Sequence, residues 1–202
     1  LFPSPDREDT ELGLFYHHLP ETIYERGKSQ TNPQEARAVA AAVMEHARKR
    51  PGLTLGVAAF SASQAQAIQD QIEILRRSDP SHEDFFGAHA FEPFFVKNLE
   101  NVQGDERDVI FISVGYGKDQ NGWMTMSFGP LNREGGERRL NVLITRARRR
   151  CEVFANFTAD DVDLGRSSAR GLQALKTFLR YASEGSLEVP TSKGEPDSPF
   201  ES

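Results

Sequence analysis

Six arginines fall within the thirteen residues Arg138–Arg150, "RRLNVLITRARRR", of a chain whose net charge is −6. Guanidinium stays charged at any physiological pH and presents a planar fork of donors that matches phosphate oxygens. An arginine held rigidly beside a phosphoryl group can neutralise charge as it develops there. Taken at about 100° per residue, the segment predicts one helix. Leu140, Leu143, Ile144, Ala147 and Cys151 then share an apolar face, Arg139, Arg146 and Arg150 one flank, and Arg138, Asn141, Thr145 and Arg149 the other. A solvated basic helix paired with acidic neighbours satisfies the same periodicity, which does not choose between the two.

A second stretch, "NVQGDERDVIFIS" from Asn101 to Ser113, places Gln103, Gly104 and Glu106 in a turn at the mouth of an apolar strand. Glycine lets backbone N–H groups approach a ligand closely. In open parallel sheets ligands collect at the carboxyl ends of the strands, which sets the expected rim for the site. Alone, the stretch reads more simply as a polar turn.

The elements that must position these residues are legible along the chain. Leu14–Leu19 reads as a strand. Asn32 as N-cap, Pro33 at the first helical position and Glu35 three residues after the cap open a helix that ends before Pro51-Gly52. Leu53–Phe60 is a short apolar run suited to a strand buried on both faces. A helix follows with Ala65, Ile68, Ile72 and Leu75 inward, and then a loop through Ser78–His89. Phe94–Val96 and Val109–Val114 read as strands. A long loop with a hairpin signal at Asn121-Gly122 leads to the arginine segment, and "CEVFANF" reads as a strand after it. A last helix carries Leu172, Leu175, Leu179 and Ala182 on one face. Strand alternating with helix predicts an α/β fold with a mostly parallel sheet. The expected division is a linker at 1–12, one domain at 13–184 and a loose tail at 185–202.

The totals bound the function. An acidic chain argues against non-specific nucleic-acid binding by bulk charge, so basic patches must carry any such contact. No apolar run approaches the roughly 18 residues of a membrane span, and no signal-peptide pattern opens the chain. The single cysteine, Cys151, has no internal partner and reads as a buried thiol in a reducing, cytoplasmic setting. The histidines show no metal-ligand spacing. Chain position 1 is leucine, so the sequence reads as a piece of a longer one.

Together, the two stretches resemble the paired late motifs of superfamily 1 helicases, in the branch that holds the nonsense-mediated-decay helicase and large bacterial relatives. The fifth motif of that branch, Q-G-x-E-x-D before an apolar strand, is matched by Gln103, Gly104, Glu106 and Asp108. The sixth, R-R-L-N-V-A-L-T-R-A-R, is matched from Arg138 to Arg148, with Leu143 for alanine and Ile144 for leucine. The helix opening at Asn32 resembles the start of that family's second motor domain. "LGVAAFSASQAQAI" resembles its fourth motif, T-P-Y-x-x-Q after a strand. Gln64 matches the glutamine, whereas Ala59, Phe60 and Ser61 replace Thr, Pro and Tyr, which removes the expected adenine-stacking tyrosine.

The resemblance implies a three-layer RecA-like domain acting as the second motor domain of an ATP-dependent helicase or translocase. Arg146 would be the finger on the γ-phosphate of ATP, with Arg148 either reinforcing it or forming a structural pair. Gln64, Gln103, Gly104, Glu106, Asn141 and Thr145 would contact the nucleotide or position those that do. No G-x-x-x-x-G-K-[ST] loop and no D-E strand end occur in the sequence. ATP and Mg2+ would therefore be held mainly by a first RecA-like domain in cis, with single-stranded nucleic acid as the other partner. Arg146 is expected at the sheet's carboxyl-end rim; a side chain turned into the interior or away from that rim would overturn the motor reading. One rival is a non-catalytic RecA-like interaction module. Another is a nuclease, for which Asp160-Asp161-x-Asp163 is the one acidic run available.

Overall fold

The computed structural model describes residues 13–89, 91–102 and 104–184. The expected linker at 1–12, the tail at 185–202 and Gln103 lie outside the described residues. Five strands, β1 (Gly13–His18), β2 (Leu55–Ala59), β3 (Phe95–Asn98), β4 (Arg107–Ser113) and β5 (Ala147–Ala155), form one sheet in the order β1-β5-β4-β2-β3. All four neighbouring pairs are parallel. Between them run α1 (Pro33–Lys49), α2 (Ala62–Ser78), the short α3 (Glu83–Ala88), α4 (Gly136–Ile144) and α5 (Arg170–Glu184).

Side chains alternate across each strand, so the sheet feeds two cores. Val57, Phe111 and Phe154 face α1 and α2 and pack with Val39, Val43, Ile68 and Ile72. Ile110, Ile112 and Val153 face the other way and pack with Leu140, Leu143, Leu172, Leu175 and Leu179 of α4 and α5. This is the three-layer α/β arrangement the strand–helix alternation predicts. At about 25 cal/mol per Å2 of buried apolar area, each fully enclosed leucine or phenylalanine contributes on the order of 2 kcal/mol.

Three local expectations fail for identifiable reasons. The arginine helix stops at Ile144, and β5 begins at Ala147, inside the stretch read as helical. Ala147 and Cys151 are four apart, a spacing that keeps one face in a helix and in a strand alike; pairing with both β4 and β1 decides for the strand. Pro80–His82 is a 3-10 turn leading into α3, where a plain loop was expected. Asn121-Gly122 forms a turn, with the Gly122 N–H donating to the Asp119 carbonyl at 2.9 Å, but no strands flank it.

The carboxyl edge of the sheet is locked by a buried polar network. Asn32 caps α1, its side chain accepting from the Glu35 N–H at 3.0 Å. Gln64 accepts from the Asn32 N–H at 2.9 Å and donates to the Ser113 hydroxyl oxygen at 3.1 Å. Ser113 Oγ–H and Gly115 N–H both donate to Glu35 Oε1, at 2.6 and 2.8 Å. Gly115 sits at φ +70°, and a Cβ there would meet Gln64 Cγ at 2.7 Å, so the turn requires glycine. Glu35 thus serves the sheet rather than returning to its own cap.

Burial pushes the Glu35 carboxyl up to about 7 from 4.5, against the donors of Ser113 and Gly115, and its Oε2 is buried without a partner. An acid whose folded-state pKa is raised stabilises the fold fully below its unfolded pKa and loses that contribution as pH rises through the folded one. Wild-type melting temperature is therefore expected to fall relative to Glu35→Gln from about pH 4.5 to about pH 7 and to level off above that, measured by calorimetry. Parallel pH profiles for the two proteins would contradict a neutral, buried Glu35.

Candidate functional site

The fifth and sixth motif stretches meet at the amino edge of the sheet. Each immediately precedes its strand, so parallel pairing of β4 with β5 brings their starts together. Arg107 aligns with Ala147. The Arg107 N–H donates to the Arg146 carbonyl at 3.0 Å. This bond sets Glu106 beside Arg146, and their side chains approach to 3.3 Å (Oε1 to Nη1). Arg146 is 20% exposed and Glu106 52%. The Arg146 Nε donates to the Val142 carbonyl at 3.1 Å, and Thr145 Oγ1 donates to the same oxygen at 2.9 Å, so both close the end of α4.

Arg146 stands at the amino edge and not at the expected carboxyl-end rim, so the condition set against the motor reading is met as it was stated; the condition itself rested on the rule for ligands in open sheets. That rule describes sheets that hold their own ligand on the loops after their strands. Here both motifs come before their strands, which in a parallel sheet can only mean the opposite edge. The side chain is 20% exposed and reaches the 52% exposed Glu106.

Arg148 is differently engaged. It makes a bidentate pair with Glu92 at 2.6 and 2.6 Å, lies 3.3 Å from Asp108 and donates to Thr54 Oγ1 at 3.2 Å. Its hydrogen bond holds Glu92 below the usual carboxylate range. Burial alone would raise Asp108, but the backbone and hydroxyl donors of Thr54, with Arg148, outweigh it and leave it low. The register slips by one between Arg107 and Val109 of β4, so Arg148 and Arg149 together oppose Asp108. Arg150 turns to the α1 side of the sheet, 2.6 Å from Glu152 and 3.6 Å above the Phe15 ring. Glu152 also meets His17 at 2.6 Å. Cys151 is buried, and burial pushes its thiol up and out of reactive range.

Other expected site residues are dispersed. Gly104 lies two residues before Glu106 in the same turn, at φ +86° with open space around its Cα. Thr145 is exposed beside Arg146. Asn141 is exposed one turn earlier on α4, its carbonyl accepting the Thr145 N–H at 3.1 Å. Gln64 stands at the other end of the sheet: β4, at about 3.3 Å per residue, separates the two edges by roughly 20 Å. It is fully enclosed, with its side-chain oxygen and nitrogen both bonded. The nucleotide role expected for Gln64 is therefore not retained, since one nucleotide cannot reach both it and Arg146. Phe60 is core. Asp161 closes a capping box with Thr158 and pairs with Lys118 at 2.8 Å, Asp160 meets Arg180 at 3.2 Å, and Asp163 accepts from the Gly165 N–H at 2.8 Å. The ion pair of Arg146 with a carboxylate forty residues away was not readable, because neither stretch states its register against the other.

The architecture is that of a RecA-like α/β domain with Arg146 paired to a half-exposed Glu106 at its amino edge. Residues 6–158 match the model of the AAA domain family, and the chain belongs to that family. It is 37% identical over 159 residues to the uncharacterized ATP-dependent helicase MG140 of Mycoplasma genitalium, covering 76% of this chain and 14% of that protein. It is 40% identical over 132 residues to the MG140 homolog of Mycoplasma pneumoniae, also described as an uncharacterized ATP-dependent helicase, covering 63% and 11%. The chain thus spans about a seventh or less of the length of the curated relatives it matches.

The two arginines should separate by stability. Arg148→Ala is expected to cost on the order of 1 kcal/mol, discounted for its exposure, and Arg146→Ala less than about half of that. Denaturant melts of the two variants decide it; a larger loss for Arg146→Ala would make that residue the structural one.

Proposed function

We infer that this chain is the second motor domain of an ATP-dependent helicase or translocase of superfamily 1, completing an ATP site whose phosphate-holding half lies in another domain. The observation that carries the reading is the Glu106–Arg146 pair at the amino edge. The guanidinium is fixed by its own backbone and by the end of α4, yet its carboxylate partner is half exposed and only 3.3 Å distant. Exposed ion pairs of this kind contribute about 1 kcal/mol or less, so exchange of the carboxylate for a phosphate costs little.

In this reading a first RecA-like domain presents the γ-phosphate of ATP, with Mg2+, to the amino edge. Arg146 leaves Glu106 and neutralises the charge that develops on the transferring phosphoryl group. Glu106, released, is free to meet the ribose or an attacking water. Arg148 holds the start of β5 in place through Glu92 and Asp108 and supports the finger rather than acting as one. Thr145 and Asn141 fix the α4 end that carries Arg146. Closure and opening of the cleft then step a single strand of nucleic acid. Support comes from the family, from relatives described as ATP-dependent helicases, and from the adjacency of the two motif stretches.

In the full-length protein Arg146→Ala is expected to lower the hydrolysis rate by about 10^3-fold or more while the ATP dissociation constant changes only a few-fold. Steady-state turnover together with equilibrium nucleotide binding reads both; near-normal turnover would refute the finger.

A further inference from the structure

The arginine segment is split between two edges. α4 is nine residues and so about 13 Å long. Its end carries Arg146 at the amino edge. Its beginning, with Arg138 and Arg139, lies at the carboxyl edge, where the loop after β4 arrives. No part of the nucleotide reading uses those two arginines.

They line an open pocket with Arg133 and Arg170. Arg133 comes from the turn before α4, Arg138 and Arg139 from its first turn, and Arg170 from the first turn of α5. Arg138 and Arg170 are exposed, and among the described residues neither side chain makes a hydrogen bond or ion pair. Arg133 reaches Glu100 at 3.3 Å with its side chain 68% exposed, and Arg139 donates to the Glu134 carbonyl at 2.8 Å. Glu134 and Glu137 also line the pocket, so four guanidinium groups meet two carboxylates there. Its shape is held from beneath: a Cβ at Gly136 or at Gly171 would meet the Leu131 carbonyl oxygen at 2.1 Å, which packs the two helix starts tightly together. On the same edge Trp123 is 49% exposed, with Arg26 4.1 Å and Arg166 5.7 Å from its ring.

We propose that the Arg133–Arg138–Arg139–Arg170 pocket is a second anion site, and that its ligand is the phosphodiester backbone of a nucleic-acid strand. Unpaired guanidinium groups converging from two helix starts suit a chain of phosphates, which two or three of them can grip at once. An acidic chain needs such a local patch to overcome its own repulsion of a polyanion. The proposal rests on the motor reading for its choice of strand over other polyanions. It gives α4 a role at both ends: one end addresses the nucleotide and the other the strand.

The test is fluorescence anisotropy of labelled oligodeoxythymidylate and oligouridylate, each about twenty nucleotides long, titrated with the chain without nucleotide. Arg138→Glu combined with Arg170→Glu is expected to weaken binding at least about tenfold and to reduce the slope of log affinity against log salt by about two. Arg149→Glu, an exposed reversal of equal sign on β5, is expected to change affinity less than about twofold. Circular dichroism melts confirm that each variant folds, and Arg138→Lys keeps the charge if a reversal unfolds the chain. Equal losses in the pocket and Arg149 variants, unchanged binding in the pocket variants, or displacement of the strand by polyglutamate as readily as by unlabelled strand would overturn the proposal. Because no ATP is present, strand binding lost only in the pocket variants stands even if Arg146→Ala hydrolyses ATP normally.

Discussion

One backbone hydrogen bond, from the Arg107 N–H to the Arg146 carbonyl, fixes the site. It is the first rung of the parallel β4–β5 ladder, and it lies where both strands begin. Everything distinctive about the amino edge follows from it. Glu106 and Arg146 precede the paired residues and must therefore be neighbours, although forty positions separate them in sequence. The two hydrophobic layers hold that ladder in register: a slip of one residue would turn Phe111 and Phe154 out of one core and Ile112 and Val153 out of the other. Packing far from the edge thus determines which carboxylate meets which guanidinium.

The arginines then divide by environment rather than by type. Arg150 is buried against Glu152 and Phe15, and Arg148 is clamped by Glu92, so both hold structure. Arg146 has a single, longer contact to a half-exposed carboxylate. Arg138 and Arg170 have none among the described residues. α4 connects the two less committed groups and is anchored to the sheet by Leu140 and Leu143, both fully buried. A short rigid helix with anion-seeking groups at opposite ends gives a direct mechanical path between the edges of the domain. The carboxyl edge, tied by Glu35, Gln64, Ser113 and Gly115, supplies a stiff base for it.

Much of this was readable before any coordinates. The N-cap at Asn32, the doubly buried runs of β2 and β4 and the leucine stripe of α5 carry strong local signals, and each element occurs where its signal places it. The boundary between α4 and β5 was not readable, because the apolar positions 147 and 151 satisfy both periodicities and only pairing with two flanking strands breaks the tie. The edge on which Arg146 stands was in fact implied by the order of motif and strand. The general rule for ligands in open sheets obscured it, since that rule presupposes a domain that holds its own ligand. Gln64 was misjudged for another reason: a glutamine at the mouth of a strand looks the same in sequence whether it faces a ligand or closes a buried network.

The central claim is that the Arg146 guanidinium exchanges Glu106 for a phosphoryl group presented from outside the amino edge. A structure of the full-length protein with ADP and an aluminium or beryllium fluoride would test it most directly. The account predicts the Glu106 pair opened and an Arg146 nitrogen within about 3 Å of the fluoride group. An arginine still resting on Glu106, with the nucleotide bound elsewhere, would contradict it.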